Sequence, residues 1–326
     1  MHQAPEYPYE NPAGSCPVRW NEKPYHSLDF MLRERFGEKV YKVTLNGGMT
    51  CPNRDGKIGR RGCIFCSAGG SGDFAADASL SITEQINSQI ALLSAKRPIR
   101  KYIAYFQAYT NTYAPVDYLR KIFTEALRHP SIVALSIGTR PDCLGPDVLA
   151  LLDSLNREKP VWVELGLQTI HEKTAQYIRR GYPLSCFEQA VRNLRARHLD
   201  VIVHTILGLP GENSQDMLAT MDYLNHMDIQ GIKLQLLHVL AGTDLAEEYA
   251  RGVFQVLDRD DYLDLLIDCL EHLDPSIVIH RMTGDGPSDL LIAPLWASRK
   301  REVLNLVHHR MKERGSFQGK ALQKRR

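Results

Sequence analysis

The stretch KYIAYFQAYTNTYAPVDYLRKIFTEALRHPSIVALSIGTRPDCL, residues 101–144, sets the architecture. KYIAYFQAY is short, apolar and rich in aromatic residues, the signature of a strand. PVDYLRKIFTEALRH carries apolar residues at helical spacing and a proline in its first turn. IVALSIGT reads as a second strand. A strand, a helix and a strand in this order imply parallel strands joined by a crossover.

The same rhythm continues in both directions. Downstream lie the helix PDVLALLDSLNRE, the strand VWVELGLQ, the helices HEKTAQYIRRG and CFEQAVRNLRARH, the strand DVIVHTILGLPGE, the helix SQDMLATMDYLNHM and the strand GIKLQLLHVL. Upstream, ITEQINSQIALLSAK reads as a helix and KVYKVTL as an alternating strand broken by Gly47 and Gly48. SLDFMLRERFG, ahead of that strand, is a helix that stops on Gly37. About six strands alternate with helices out to residue 240. Such a chain forms an incomplete barrel or an open doubly wound sheet. In both, ligands bind beyond the C-terminal ends of the strands. The expected division is an irregular lead-in with one helix over 1–36, the α/β core over 37–245, and an α-rich extension with a basic tail over 246–326.

Composition narrows the class. The chain has 326 residues, 44% of them hydrophobic, enough for a substantial core. No apolar run reaches the ~18 residues of a membrane span, and the N-terminus has no charged-then-apolar signal pattern. Seven cysteines, an odd number with three grouped, speak against a disulfide scaffold and for a reducing cytoplasm. The net charge of +2 conceals an asymmetry: from Arg299 onward ten Lys or Arg face Glu302 and Glu313. Basic charge gathered at one end attracts a polyanion such as RNA, or is simply a solvated tail.

The first strand runs into TCPNRDGKIGRRGCIFCSAGG, residues 50–70. Eleven residues separate Cys51 from Cys63, and two separate Cys63 from Cys66. Thiolates bind soft metals and iron–sulfur clusters. A C-x2-C pair can hold neighbouring corners of a small cluster, and Gly56, Gly59 and Gly62 let the intervening loop bring Cys51 to a third. Three thiolates on a four-iron cubane leave one iron open. The competing arrangement is a zinc site completed by a residue such as His26, although structural zinc normally has four protein ligands. Cys16, Cys143, Cys186 and Cys269 stand alone.

From about Tyr41 to Gly319 the chain resembles the radical S-adenosylmethionine enzymes, in the branch that contains the catalytic subunit of Elongator and its bacterial relatives. The first gap departs from the commonest C-x3-C-x2-C spacing, as is typical of that branch. The resemblance implies a partial (βα)6 TIM-type barrel and a [4Fe–4S] cluster on Cys51, Cys63 and Cys66. It implies S-adenosylmethionine on the open iron, cleaved by an electron to a 5′-deoxyadenosyl radical. Phe65 matches the aromatic residue whose backbone meets the adenine. FQAYTNT (106–112) stands where many relatives carry Gly-Gly-Glu, so Gln107 supplies the polar contact to the methionine amine. Tyr109, Thr110 and Asn111 then face the substrate entrance, with Tyr109 a candidate hydrogen donor.

Resemblance further puts Thr139 and Arg140 near the cofactor, where Arg140 grips a carboxylate or closes a structural ion pair. Glu164 and Gln168, four apart on a strand, point to one side and meet a ribose, or form a buried network without ligand. Leu209, in HTILGLPGE, lies where the chain passes the adenine. His238 acts on substrate or is a satisfied core histidine, and Arg281 and Asp285, in the segment that resembles the family's approach to the barrel mouth, are candidates for substrate contact. The implied partners are tRNA, modified at carbon 5 of its wobble uridine, and a low-potential electron donor of flavodoxin or ferredoxin type. The alternatives are a radical enzyme acting on a small metabolite and a non-catalytic metal-binding protein.

Overall fold

The computed structural model describes residues 20–70, 72–94, 99–284 and 286–323; Cys16, Asp285 and the last three basic residues fall outside these. Nine strands occur among the described residues. They are β1 Val40–Leu45, β2 Lys101–Phe106, β3 Ile132–Thr139, β4 Val161–Gln168, β5 Asp200–Leu207, β6 Gly231–Leu236, β7 Val239–Leu240, β8 Val278–Arg281 and β9 Leu291–Ala293. Seven of them form one parallel sheet in the order β1-β2-β3-β4-β5-β6-β8, and β7 pairs antiparallel with β9.

The sheet curls without closing, because β1 and β8 are its edges and do not pair with each other. The curl is visible in side chains that meet across its concave face: Lys42 on β1 reaches Glu164 on β4, and Lys233 on β6 reaches Tyr105 on β2. This is the partial barrel expected, with one strand added. That strand, β8, comes from beyond residue 245, so the C-terminal segment completes the core sheet. The lead-in joins at the same edge, where the Ile279 amide donates to the His26 carbonyl at 2.7 Å.

Alternation along each strand sorts the two faces. Outward residues such as Val43, Phe106, Ile137, Val163 and Val203 pack under the surrounding helices, among them α2 Ile82–Ser94, α3 Val116–Arg128, α4 Pro146–Asn156, α6 Leu184–Arg195 and α7 Ser214–Leu224. Inward residues form layers. The lowest is apolar: Val40, Ile103, Ala134, Trp162 and Ile202, stoppered by Leu32 and its neighbours on α1 Leu28–Phe36. Two residues further along the strands the layer turns polar, with Lys42, Tyr105, Ser136, Glu164 and His204. Above it, at the C-terminal ends, the interior opens into a cavity.

The remaining helices are α5 Glu172–Tyr177, α8 Asp244–Ala250, α9 Arg259–His272, α10 Lys300–Glu313 and α11 Lys320–Gln323. The basic end is less available than its composition suggests. Asp260, Asp264, Asp268 and Glu271 line one side of α9, and Arg310, Arg314 and Lys320 pair with them. Three of the ten C-terminal cations are therefore paired with α9 within the fold. No helix among the described residues is long and apolar enough to cross a membrane.

Candidate functional site

The loop after β1 carries the three thiols to the cavity mouth: Cys51, Cys63 and Cys66 all line it. The loop is shaped by its own backbone. The Cys66 amide donates to the Cys63 carbonyl at 3.0 Å, and the Arg54 amide to the Cys51 carbonyl at 2.8 Å. Asn53 ties the loop to the following layer, donating to the Arg179 carbonyl at 2.7 Å and lying 3.6 Å from the Cys63 sulfur. Arg54 donates to the carbonyls of Cys66 and Ser67 at 2.9 and 2.5 Å.

These residues fit a cluster. Burial, then the neighbouring Cys66, pushes the Cys63 thiol up to about 12. A thiol in that setting keeps its proton until a metal replaces it, and the metal then supplies the missing positive charge. Arg54, held above its ordinary range by Cys66, Tyr109 and Cys51 despite partial burial, offsets the thiolates' charge. Among the described residues no three His, Cys, Asp or Glu side chains are grouped to grip a single ion. Thiolates on a multi-iron cluster each take a different iron, so they need not converge on one point. His26 stacks on Trp20 and bonds the Pro275 carbonyl, and it does not line this cavity.

The cavity also gathers Phe65, Gln107, Tyr109, Thr110, Thr139, Arg140, Glu164, Gln168, His238 and Arg281, drawn from the ends of β2, β3, β4, β6 and β8 and the loops beyond. Leu209 is not in its lining; it is buried beside it, in a small apolar cluster with Ile64, Ile206 and Leu237 against which Phe65 packs.

Four placements revise the expected roles. Asn111 is fully buried and donates to the Gly138 carbonyl at 2.8 Å, so it braces β3 rather than facing an entrance. Arg140 spends its fork on Asp142, at 2.9 and 2.8 Å, and a further donor on the Arg180 carbonyl at 2.8 Å. It is the structural ion pair, stacked 4.9 Å from Tyr182, and no fork remains for a cofactor carboxylate. Tyr109 holds a left-handed φ of 60° and donates its hydroxyl to the Ala68 carbonyl at 2.5 Å, clasping the loop after Cys66.

Glu164 is the fourth. Its Oε1 accepts from Lys42 Nζ at 2.5 Å and Ser136 Oγ at 2.6 Å. Its Oε2 accepts from His204 Nε2 at 2.7 Å and from Lys233 Nζ. Four donors occupy its lone-pair directions, leaving none for a ribose. Burial alone would raise this carboxyl, but Lys233 and Lys42, then His204, hold it well below its usual range. Gln168 sits apart, because the strand bulges between Gly166 and Gln168 and φ at Gln168 is 68°. Its amide folds back over Gly166. His238 packs against Gly284 and Gly286 beyond β8: a Cβ added to either would meet its ring at 2.7 Å.

Sequence reasoning missed Lys42, Arg54, Tyr105, Tyr182, His204 and Lys233. For the two lysines a signal existed. Each interrupts an apolar run on a parallel strand covered on both sides, where a charge requires a partner.

Comparison with known proteins agrees with this geometry. The Radical SAM superfamily model matches residues 55–224, and the Radical_SAM C-terminal domain model matches residues 229–313. Over 99% of its length the chain is 45% identical to the uncharacterized protein YtqA of Bacillus subtilis, covering 98% of that protein. It is 24% identical over 186 residues to the tRNA uridine(34) acetyltransferase of Methanocaldococcus jannaschii, covering 56% of the chain and 33% of the relative. The fold matches archaeal Methanocaldococcus infernus Elp3 with a TM-score of 0.66 at 17% identity, over 86% of this chain and 64% of that one. By the breadth of these matches, the chain belongs to the radical SAM superfamily.

Proposed function

We propose that the chain generates a 5′-deoxyadenosyl radical in this cavity and uses it to remodel a substituent at carbon 5 of the wobble uridine of tRNA. The superfamily's cofactors, a [4Fe–4S] cluster and S-adenosylmethionine, are those of this chain. When bound, they supply the electron and the sulfonium whose cleavage releases the radical. Cys51, Cys63 and Cys66 would hold the cluster, leaving its fourth iron to the methionine end. Gln107, Thr139 and Gln168 are cavity-lining polar side chains that would orient the nucleoside, whereas Arg140 and Glu164 are committed elsewhere. The curled sheet and the α1 stopper wall the cavity below and around, apart from its mouth and the gap between β1 and β8.

The observation that carries the reading is three thiols from one loop opening on a cavity at the C-terminal ends of a parallel sheet. The tRNA assignment draws on similarity to enzymes named for tRNA uridine 34. The substrate we propose is a uridine substituent already installed by other enzymes, such as a carboxymethylaminomethyl group. Anaerobic reconstitution of the single Cys51→Ala, Cys63→Ala and Cys66→Ala variants should each lose most of the bound iron, while Cys186→Ser keeps it. Nucleoside profiling of tRNA from a deletion strain should show a changed wobble-uridine derivative. An unaltered profile, with 5′-deoxyadenosine still formed by the protein, would leave the radical chemistry and remove tRNA as substrate.

A further inference from the structure

The floor of the cavity holds more positive charge than the radical reading requires. His204, Lys233 and Arg281 are register neighbours on β5, β6 and β8, forming one row across the concave face. Lys42 arrives from β1, and both lysines share the single carboxylate of Glu164. The groups around this point are Lys42, Tyr105, Ser136, Glu164, His204, Lys233, His280 and Arg281, and Glu164 is the acid among them. Elsewhere in the linings of this cavity and its neighbour, the acids among the described residues are engaged. Asp73 accepts from Ser67, and Asp29 pairs with Arg33. Leaving Arg281 aside, two lysine side chains still share one carboxylate.

The imbalance has a second symptom. Burial drags Lys233 down to about 7, with Lys42 and Arg281 pulling the same way against Glu164. The row is also reachable from the side. A second cavity lies between the β1 and β8 edges, lined by Lys23, Thr44 and Lys300, and it shares Tyr105, Gln107, Lys233 and Arg281 with the first. A passage flanked by one sign of charge concentrates ions of the other sign.

We propose that this floor is an anion subsite, where Lys42 and Lys233, with Arg281 beside them, take a carboxylate or phosphate carried by the substrate through the β1–β8 opening. The inference rests on the cavity being the reaction chamber of a radical SAM enzyme, and it adds the chemical class of the group recognised there. The anion supplies the charge that Glu164 cannot give to both lysines. It also places the substrate below the cysteine loop, on the side of the cavity away from the solvent mouth.

The test is thermal denaturation of the anaerobically reconstituted full chain in sodium phosphate, sodium acetate and sodium chloride at matched ionic strength, with and without saturating S-adenosylmethionine. A ligand that binds only the native state raises its melting temperature by mass action. The expected result is a saturable rise over chloride with phosphate or acetate that persists in saturating S-adenosylmethionine. In Lys42→Gln that rise falls at least fivefold, and in Lys42→Arg it survives. The more protective anion identifies the headgroup. No rise over chloride in the wild-type chain overturns the proposal, whether or not the variants fold. An equal rise in Lys42→Gln also overturns it, and so does a rise abolished by S-adenosylmethionine, which would assign these cations to the cofactor. Failure of the radical reading is separate: it shows as no 5′-deoxyadenosine formed by a fully iron-loaded sample.

Discussion

Glu164 concentrates the energetics of the interior in one side chain. It is fully buried, and its charge is what makes Lys42 and Lys233 tolerable inside the barrel. Glu164→Gln keeps the shape and removes the charge, leaving buried ammonium groups without a counter-ion. Breaking such a pair costs about 3 kcal/mol or more, which urea denaturation at neutral pH should register. The same cluster predicts a pH profile. Burial, with Lys233 and Arg281, lowers His204 from 6.5 to about 4, so between those values the unfolded chain binds more protons than the folded one. Stability therefore falls as pH drops from 6.5 towards 4, and the depressed Glu164 carboxyl adds to the loss below its ordinary range. His204→Gln should flatten the pH dependence of the unfolding free energy, read from urea denaturation between pH 6.5 and 4, by up to about 1.4 kcal/mol per pH unit, one proton's worth. An unchanged slope would show that His204 is not the group responsible.

At the scale of the element, the cysteine loop is held by contacts that its sequence does not advertise. Gly70 has φ of 59°, and a Cβ there would stand 2.2 Å from the Tyr109 ring. Gly70→Ala should therefore push Tyr109 off the loop, loosening the Ala68 clasp next to Cys66. The expected outcome is a native far-UV spectrum with iron retention reduced severalfold on gel filtration; unchanged retention would mean the clasp is dispensable. Gly166→Ala offers a milder contrast, since its Cβ would meet only the amide end of Gln168 at 2.7 Å, which can swing aside. The α10 helix is a different case. Its arginines are matched to acids on α9, and such partly exposed pairs each contribute at most about 1 kcal/mol. They fix how the C-terminal segment docks more than they stabilise it.

Across the whole molecule, the sheet is a partial barrel whose last strand and bottom stopper come from outside the expected core. β8 hydrogen-bonds to β6 on one side and meets the His26–Ser27 segment on the other. Truncating the chain before Val278 would expose the β6 edge and remove Arg281 from the cavity. An unpaired parallel edge in a hydrophobic sheet invites aggregation. The truncated chain is expected to be insoluble, or to unfold well below the intact chain on heating. A soluble, equally stable product would show that 40–236 closes its own core.

The sequence by itself determined the parallel α/β order, the place of the cysteine loop at a strand end, and part of the cavity lining, the three thiols included. These follow from local rules: periodicity sorts strands from helices, and three thiols in one loop stay near each other however the rest folds. The uses of Arg140, Asn111 and Glu164, the seventh strand and the pairing of Arg310, Arg314 and Lys320 with α9 were decided by tertiary structure. Each depends on partners far along the chain: Lys42 meets Glu164 across 122 residues, and Glu164 meets Lys233 across 69. A charge can be read from its letter; whether it is available to a ligand depends on what the curled sheet sets against it.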